Sequence, residues 1–139
     1  MGAHYIQKLL TRYGADFNTK LQLENGVCAL QDENGEELAV LELTPSGEEL
    51  ILHCLILPAD PAWQTQAVLL TLLTMNFEIG AIDGYWLALD PATNLRLFSR
   101  RDLSQLEHIS FAQLLNDFTK RGYQVRDFMP ELLERMRTF

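Results

Sequence analysis

Apolar positions fall at helical spacing at both ends of the chain, with alternating and continuous apolar runs between them. Tyr5, Ile6, Leu9, Leu10 and Tyr13 predict a short amphipathic helix over 3–13, and Gly14 follows as a C-terminal stop. From Leu21 to Leu57 the runs LQL, GVCALQD, ELAVLEL and ELILHCLIL are cut by Asn25-Gly26, by 32–35 and by Pro45-Ser46-Gly47. Turns this short predict three or four neighbouring antiparallel strands. Asp60 and Pro61 open a second helix as N-cap and first-turn proline, which continues through Trp63 to about Phe77. Strands return at 85–90 and 94–100, joined by Pro91-Ala92-Thr93. Ser110 and Gln113 then read as a capping box ahead of a helix whose face is Phe111, Leu114, Leu115 and Phe118, with Gly122 closing it. Pro130 begins a last helical segment, PELLERM.

The expected fold is therefore α+β, in the order α-βββ-α-ββ-α. An antiparallel twisted sheet of five or six strands packs with three main helices in a single domain, 1–139. No repeat, linker or low-complexity tract divides the chain.

The second helix departs from the amphipathic pattern. Its stretch AVLLTLLTMNF, 67–77, has no wet side, and no Lys, Arg, Asp or Glu occurs between Pro61 and Glu78. On a helical wheel Trp63, Ala67, Leu70 and Phe77 fall along one line, read as the side for the molecule's own sheet. Val68, Leu72 and Met75 fall opposite, with Leu69 and Leu73 on a flank. A helix apolar all round must be covered all round, so the opposite line is assigned to a second copy in a two-fold dimer. The alternative is a helix wholly sandwiched inside the monomer.

Charge narrows the partners. Net charge is −8, and residues 1–60 carry 10 acids against 3 bases. Nucleic-acid binding needs a basic patch, which the first half cannot supply, and Arg96, Arg100 and Arg101 read as a solvated edge. Cys28 and Cys54 sit within apolar runs as buried free thiols, suiting a reducing cytosol. The amino terminus has no secretory h-region, and no apolar run reaches membrane-spanning length. No nucleic acid, membrane insertion, metal or cofactor is expected.

Chemistry is absent as a motif. The chain has no G-x-S-x-G, P-loop, G-x-G-x-x-G or H-E-x-x-H, and His4, His53 and His108 fall in different elements. What remains is surplus apolar surface: the strand ELAVLEL places Ala39, Leu41 and Leu43 on one face and Leu38 and Val40 on the other. A second apolar sheet face points to a binding surface or to further core.

The element order and the segment LLTLLTMNFEIGAIDGYWLALDPATNLRLFSRRDL resemble the class I type III secretion chaperones, the Tir chaperone family. The likeness lies in Leu72, Leu73 and Asn76 at the end of the central helix and in the strand Leu87-x-Leu89-Asp90. It continues in the strand running to Arg100 and Leu103 and in Phe111, Leu115 and Phe118. The resemblance implies a non-enzymatic, cofactor-free bacterial cytoplasmic homodimer that holds the extended amino-terminal chaperone-binding region of a secreted effector and aids its delivery. The secretion ATPase is a further implied partner. By the same resemblance the dimer interface falls on Val68, Leu69, Leu72 and Trp86, and effector contacts on Ile6, Leu9, Leu10, Val27, Leu30, Val40 and Leu41. Two other readings stay open: a chaperone-like protein sequestering a transcriptional regulator, and a small ligand-binding domain.

Overall fold

The computed structural model describes residues 2–137, the side chains of 79–83 excepted. Its elements are α1 (Gly2–Ala15), β1 (Val27–Gln31), β2 (Glu37–Leu43), β3 (Glu49–Leu57), α2 (Gln66–Asp83), β4 (Tyr85–Leu89), β5 (Leu95–Asp102) and α3 (His108–Arg137), with one 3-10 turn, Leu103–Gln105. The five strands form one antiparallel sheet in the order β1-β2-β3-β5-β4. This is the expected α-βββ-α-ββ-α fold, with the lower of the two strand counts.

The run LQL fails as a strand because a helix satisfies its backbone. Gln7 of α1 donates to the Leu21 carbonyl at 2.9 Å and accepts from the Leu23 N–H at 2.8 Å. Asn25-Gly26 does form a tight reversal. Both residues have positive φ, 53° and 78°, and Glu24 and Val27 exchange main-chain bonds of 2.8 and 3.0 Å across them. Two left-handed residues are what such a turn needs, but it closes a single bridge, Glu24 with Val27.

One sheet face carries the core. Cys28 and Leu30, Ala39 and Leu41, Leu50, Leu52, Cys54 and Ile56, Leu95 and Leu97, and Tyr85 and Leu87 alternate inward along the five strands. Against them pack Ile6, Leu9 and Leu10 of α1 and a long stripe of α3.

That stripe corrects the reading of the C-terminal region. α3 is one helix of 30 residues, about 45 Å long at 1.5 Å per residue, rather than two segments. Its buried positions Phe111, Leu115, Phe118, Gly122, Val125 and Met129 step by four and three, and half-buried Leu132, Leu133 and Met136 continue them. The apolar stripe runs straight through Gly122 and holds the helix intact across Pro130. Ser110 also reverses its expected role. It stands inside the first turn, and its hydroxyl accepts from the Glu107 N–H at 2.8 Å rather than capping the turn after it.

Gly122 is a close-approach site and not a stop. A Cβ there would lie 2.9 Å from the Cys54 sulfur. An interior glycine weakens a helix by about 1 kcal/mol relative to alanine, so surface logic favours Gly122→Ala. The expected result is the opposite: overpacking against Cys54 lowers unfolding stability by about 1–2 kcal/mol, read from urea denaturation.

α2 begins five residues later than expected. Asp60 directs a turn, its Oδ1 accepting from the Ala62 N–H at 2.9 Å, and Trp63 is buried there with its indole N–H on the Pro58 carbonyl at 2.8 Å. The helix proper is capped by Thr65, whose hydroxyl accepts from the Val68 N–H at 3.3 Å, and ends on Gly84 in the left-handed conformation. Val68 shares a cleft with Trp63 and with Leu133 and Met136, so the far end of α3 reaches the start of α2.

Candidate binding surfaces

The first surface is the outer side of α2. Its sequence has no wet face, and the monomer covers only one side: Val68 and Leu72 are buried at 6% and 4%, whereas Leu70, Leu73 and Phe77 are 56%, 65% and 82% exposed. This reverses the wheel assignment. The line with Val68 and Leu72 faces the molecule's own core, and the line with Leu70 and Phe77 faces out, because a wheel gives relative phase and not absolute direction. Of the four residues assigned to a dimer interface, Val68 and Leu72 are thus core, while Leu69 and Trp86 are half-buried. Polar groups do not wet the outer line. The hydroxyls of Thr71 and Thr74 donate back to the Ala67 and Leu70 carbonyls at 2.9 and 2.8 Å.

The second surface is the sheet face that carries no helix. Registers align Ala29, Val40, His53, Phe98 and Trp86 into one row across all five strands. Trp86 stacks on Phe98 at 5.8 Å and His53 lies against Phe98 at 5.3 Å. Ion pairs border the row. Arg96 donates to Glu37 at 2.9 Å and to Asp90 at 3.0 Å, and Arg100 holds Glu49 through two bonds of 2.6 and 2.7 Å. Arginine can only donate, so His53 Nδ1 accepts from Arg96 at 3.1 Å, and the proton on Nε2 faces Glu42 at 3.3 Å. Desolvation acts to raise the Asp90 pKa, but hydrogen bonds from Asn94, Arg96 and Ala92 outweigh it and hold the carboxyl below the usual carboxylate range.

The two sheet edges are finished differently. At the β4 edge Asn76 of α2 mates with the Leu87 main chain: its Nδ2 donates to the carbonyl at 2.7 Å and its Oδ1 accepts from the N–H at 2.6 Å. One side-chain amide thus takes the place of a neighbouring strand at the middle residue of β4 and blocks that edge there. Asn76→Ala strips both partners from Leu87. It is expected to lower stability by about 2 kcal/mol and to speed amide exchange at Leu87, measured by hydrogen–deuterium exchange NMR.

At the β1 edge the Leu43 N–H donates to the Gly26 carbonyl at 2.8 Å, so residues 26, 28 and 30 are the ones that bond to β2. The N–H and carbonyl of Ala29 therefore point to the open edge. Beside it lies a groove of about 330 Å³ lined by Lys20, Leu21, Gln22, Glu24, Val27, Cys28 and Ala29.

A third surface lies on the helix side. α1 has 14 residues against the 30 of α3, and past its end a groove of about 520 Å³ opens over Tyr13, Phe17, Leu38 and Tyr123, with Asn116, Lys120 and Asp127 at its margins. A register shift between Leu30 and Gln31 accompanies it: Glu37 pairs with Gln31 and sends its carboxylate to Arg96, while Leu38 lines the groove.

The residues assigned to effector contact divide on this geometry. Ile6, Leu9, Leu10, Leu30 and Leu41 are core, joining α1 to the sheet, whereas Val27 is exposed and Val40 half-buried on the open face. Phe17 and Tyr123, both exposed, were not among the assigned residues. Phe17 carries a readable signal, a lone aromatic past the helix end with no apolar neighbour in sequence. Burial pushes the Cys54 thiol up to about 11 and raises Cys28 too, so both thiols stay protonated. Among the described residues no group of His, Cys, Asp and Glu could hold a metal, and no helix is long and apolar enough to cross a membrane.

Three comparisons bear on this architecture. The family model described as Tir chaperone protein (CesT) matches residues 6–122. No curated protein matches in sequence. Among solved structures, a chain of the ExsC–ExsE complex superposes with TM-score 0.76 at 16% identity, over 90% of this chain and 93% of that one. A chain of the HopA1–SchA chaperone–effector complex gives 0.70 at 17%, over 88% and 94%. A chain of the complex between the Yersinia pestis type III secretion chaperone SycH and a fragment of YscM2 gives 0.61 at 15%, over 87% and 98%. At these identities the likeness is one of fold.

Proposed function

Because the chain belongs to the Tir chaperone protein (CesT) family, we propose that it is a cytoplasmic, homodimeric type III secretion chaperone holding the extended amino-terminal region of a secreted effector. The family is a non-enzymatic one of type III secretion chaperones that bind effectors. The observation that carries the finer reading is the asymmetry of the sheet: the β4 edge is blocked at its middle residue, Leu87, by Asn76, whereas the β1 edge is blocked only at its first residue, Val27, by Glu24 and presents the Ala29 main chain beside a groove. A strand-shaped client adds to such an edge through main-chain bonds and takes specificity from its alternate side chains.

The outer line of α2 supports the dimer. Leu70, Leu73 and Phe77 present a continuous apolar stripe, and a two-fold pairing covers it with its own copy. Buried Val68 and Leu72 hold the helix in place beneath that contact, and half-buried Leu69 lies on its flank. Dimerisation doubles the surface available to a client, which matters because ordering an extended segment costs several kcal/mol that contact area must offset. Delivery to the secretion ATPase is the expected later step.

The test is co-expression with a secreted protein encoded beside this chain, followed by limited proteolysis. The expected result is protection of an amino-terminal stretch of the client only when the chain is present. Equal digestion with and without it, or recovery of a transcriptional regulator and no secreted protein, contradicts the proposal.

A further inference from the structure

We infer that the client segment received at the β1 edge is basic: a short strand with lysine or arginine at both ends. This rests on the proposed strand capture and adds the chemistry of what is captured. The protein's acids are not uniformly neutralised. Toward the centre of the sheet Glu37, Glu49 and Asp90 have arginine partners, and Glu42 faces the His53 imidazole N–H. Around β1 none of Glu24, Asp32, Glu33 and Glu36 has an ion-pair partner among the described residues, and Glu24, Glu33 and Glu36 are exposed.

Their placement matches the free edge. Glu24 stands just before β1, and Asp32, Glu33 and Glu36 stand in the turn after it. Glu24 bonds to the Val27 main chain, so the opening runs from Glu24 past Ala29 to the turn at 32–36, with acid at either end. The Asp32 carboxylate accepts from the Asn34 and Glu36 N–H groups at 2.8 and 2.9 Å, which fixes the turn's shape. Lys20 lines the side groove as a single base against these four acids. Between the acid ends, Val27 and Ala29 present small apolar side chains on the helix-free face. The complementary occupant has small or β-branched residues at its centre and cations at its ends; an acidic or evenly neutral segment would leave the four carboxylates unmatched.

Three synthetic peptides test this. Each carries one alternating valine–threonine core, flanked at both ends by paired lysines, paired glutamates or paired serines, and binding to the full chain is read from amide shifts at Ala29 and Gln31. The lysine peptide is expected to bind at least about tenfold tighter than the glutamate peptide, and to lose most of that advantage at 1 M salt, where the screening length is about 3 Å. Glu33→Lys with Glu36→Lys, in an exposed turn, leaves two acids against two lysines and is expected to abolish most of the preference. Equal affinity for all three peptides overturns the basic-client inference and leaves strand capture standing. No shift at Ala29 with any peptide overturns both.

Discussion

Leu73→Glu, alone or with Phe77→Glu, is expected to break the proposed dimer into folded monomers of 15.9 kDa. Both side chains lie on the outer line of α2, at 65% and 82% exposure, so a charge there meets only water in the monomer. In a two-fold interface each substitution acts twice. At about 2 kcal/mol for each lost apolar anchor, and two for Leu73→Glu, dimer affinity falls about a thousandfold. Circular dichroism should remain that of the parent. Leu72→Glu, one residue away, behaves differently: Leu72 is in the monomer core, and an unpaired buried carboxylate costs several kcal/mol, so that variant is expected to unfold. The contrast between neighbours separates a surface role from a core role, and a dimer that survived both outer substitutions would place the subunit contact elsewhere.

Ala29→Pro is the second large effect, and it falls on client binding alone. The Ala29 N–H points to the open edge and not to β2, so proline removes no bond of the β1–β2 ladder, and an edge strand tolerates it. The ring does remove the donor that an added strand needs and fills the space that strand would enter. About 3 kcal/mol of lost bonding and contact corresponds to about a hundredfold weaker client binding by titration calorimetry. The expected cost to folding is about 1 kcal/mol, and the dimer should persist. Unchanged client affinity would exclude β1 as the docking edge.

Element types were readable along most of the chain because periodicity is a local signal. β1, β2 and β3 alternate, α1 has one apolar face, and Asp90 through Asn94 make a turn. The errors arise where tertiary packing decides. Gly122 has the composition of a helix stop, yet it is the point where α3 lies closest to Cys54, and only the continuing four-and-three spacing to Val125 and Met129 reveals a helix passing through. LQL has strand composition, but Gln7 takes its backbone from across the α1 boundary.

The candidate site was less legible than the fold. That α2 has surplus apolar surface follows from its composition, whereas the choice between Leu72 and Leu73 as the outward residue depends on how Trp63 and α3 seat the helix. Asn76 was visible as part of the family likeness without its purpose, which appears only when Leu87 is brought opposite its amide. The groove over Leu38 was hidden for a related reason. A strict two-residue alternation sets Leu38 opposite Ala39 and Leu41, and the register shift at the start of β2 is what turns it toward Tyr13 and Tyr123.

The most direct measurement is the mass, by multi-angle light scattering, of the complex formed with the amino-terminal region of a secreted protein that copurifies with this chain. A homodimeric chaperone with an extended client predicts two copies of the 15.9 kDa chain and one client segment. A single chain with or without client, or a dimer that takes up no client, would contradict it.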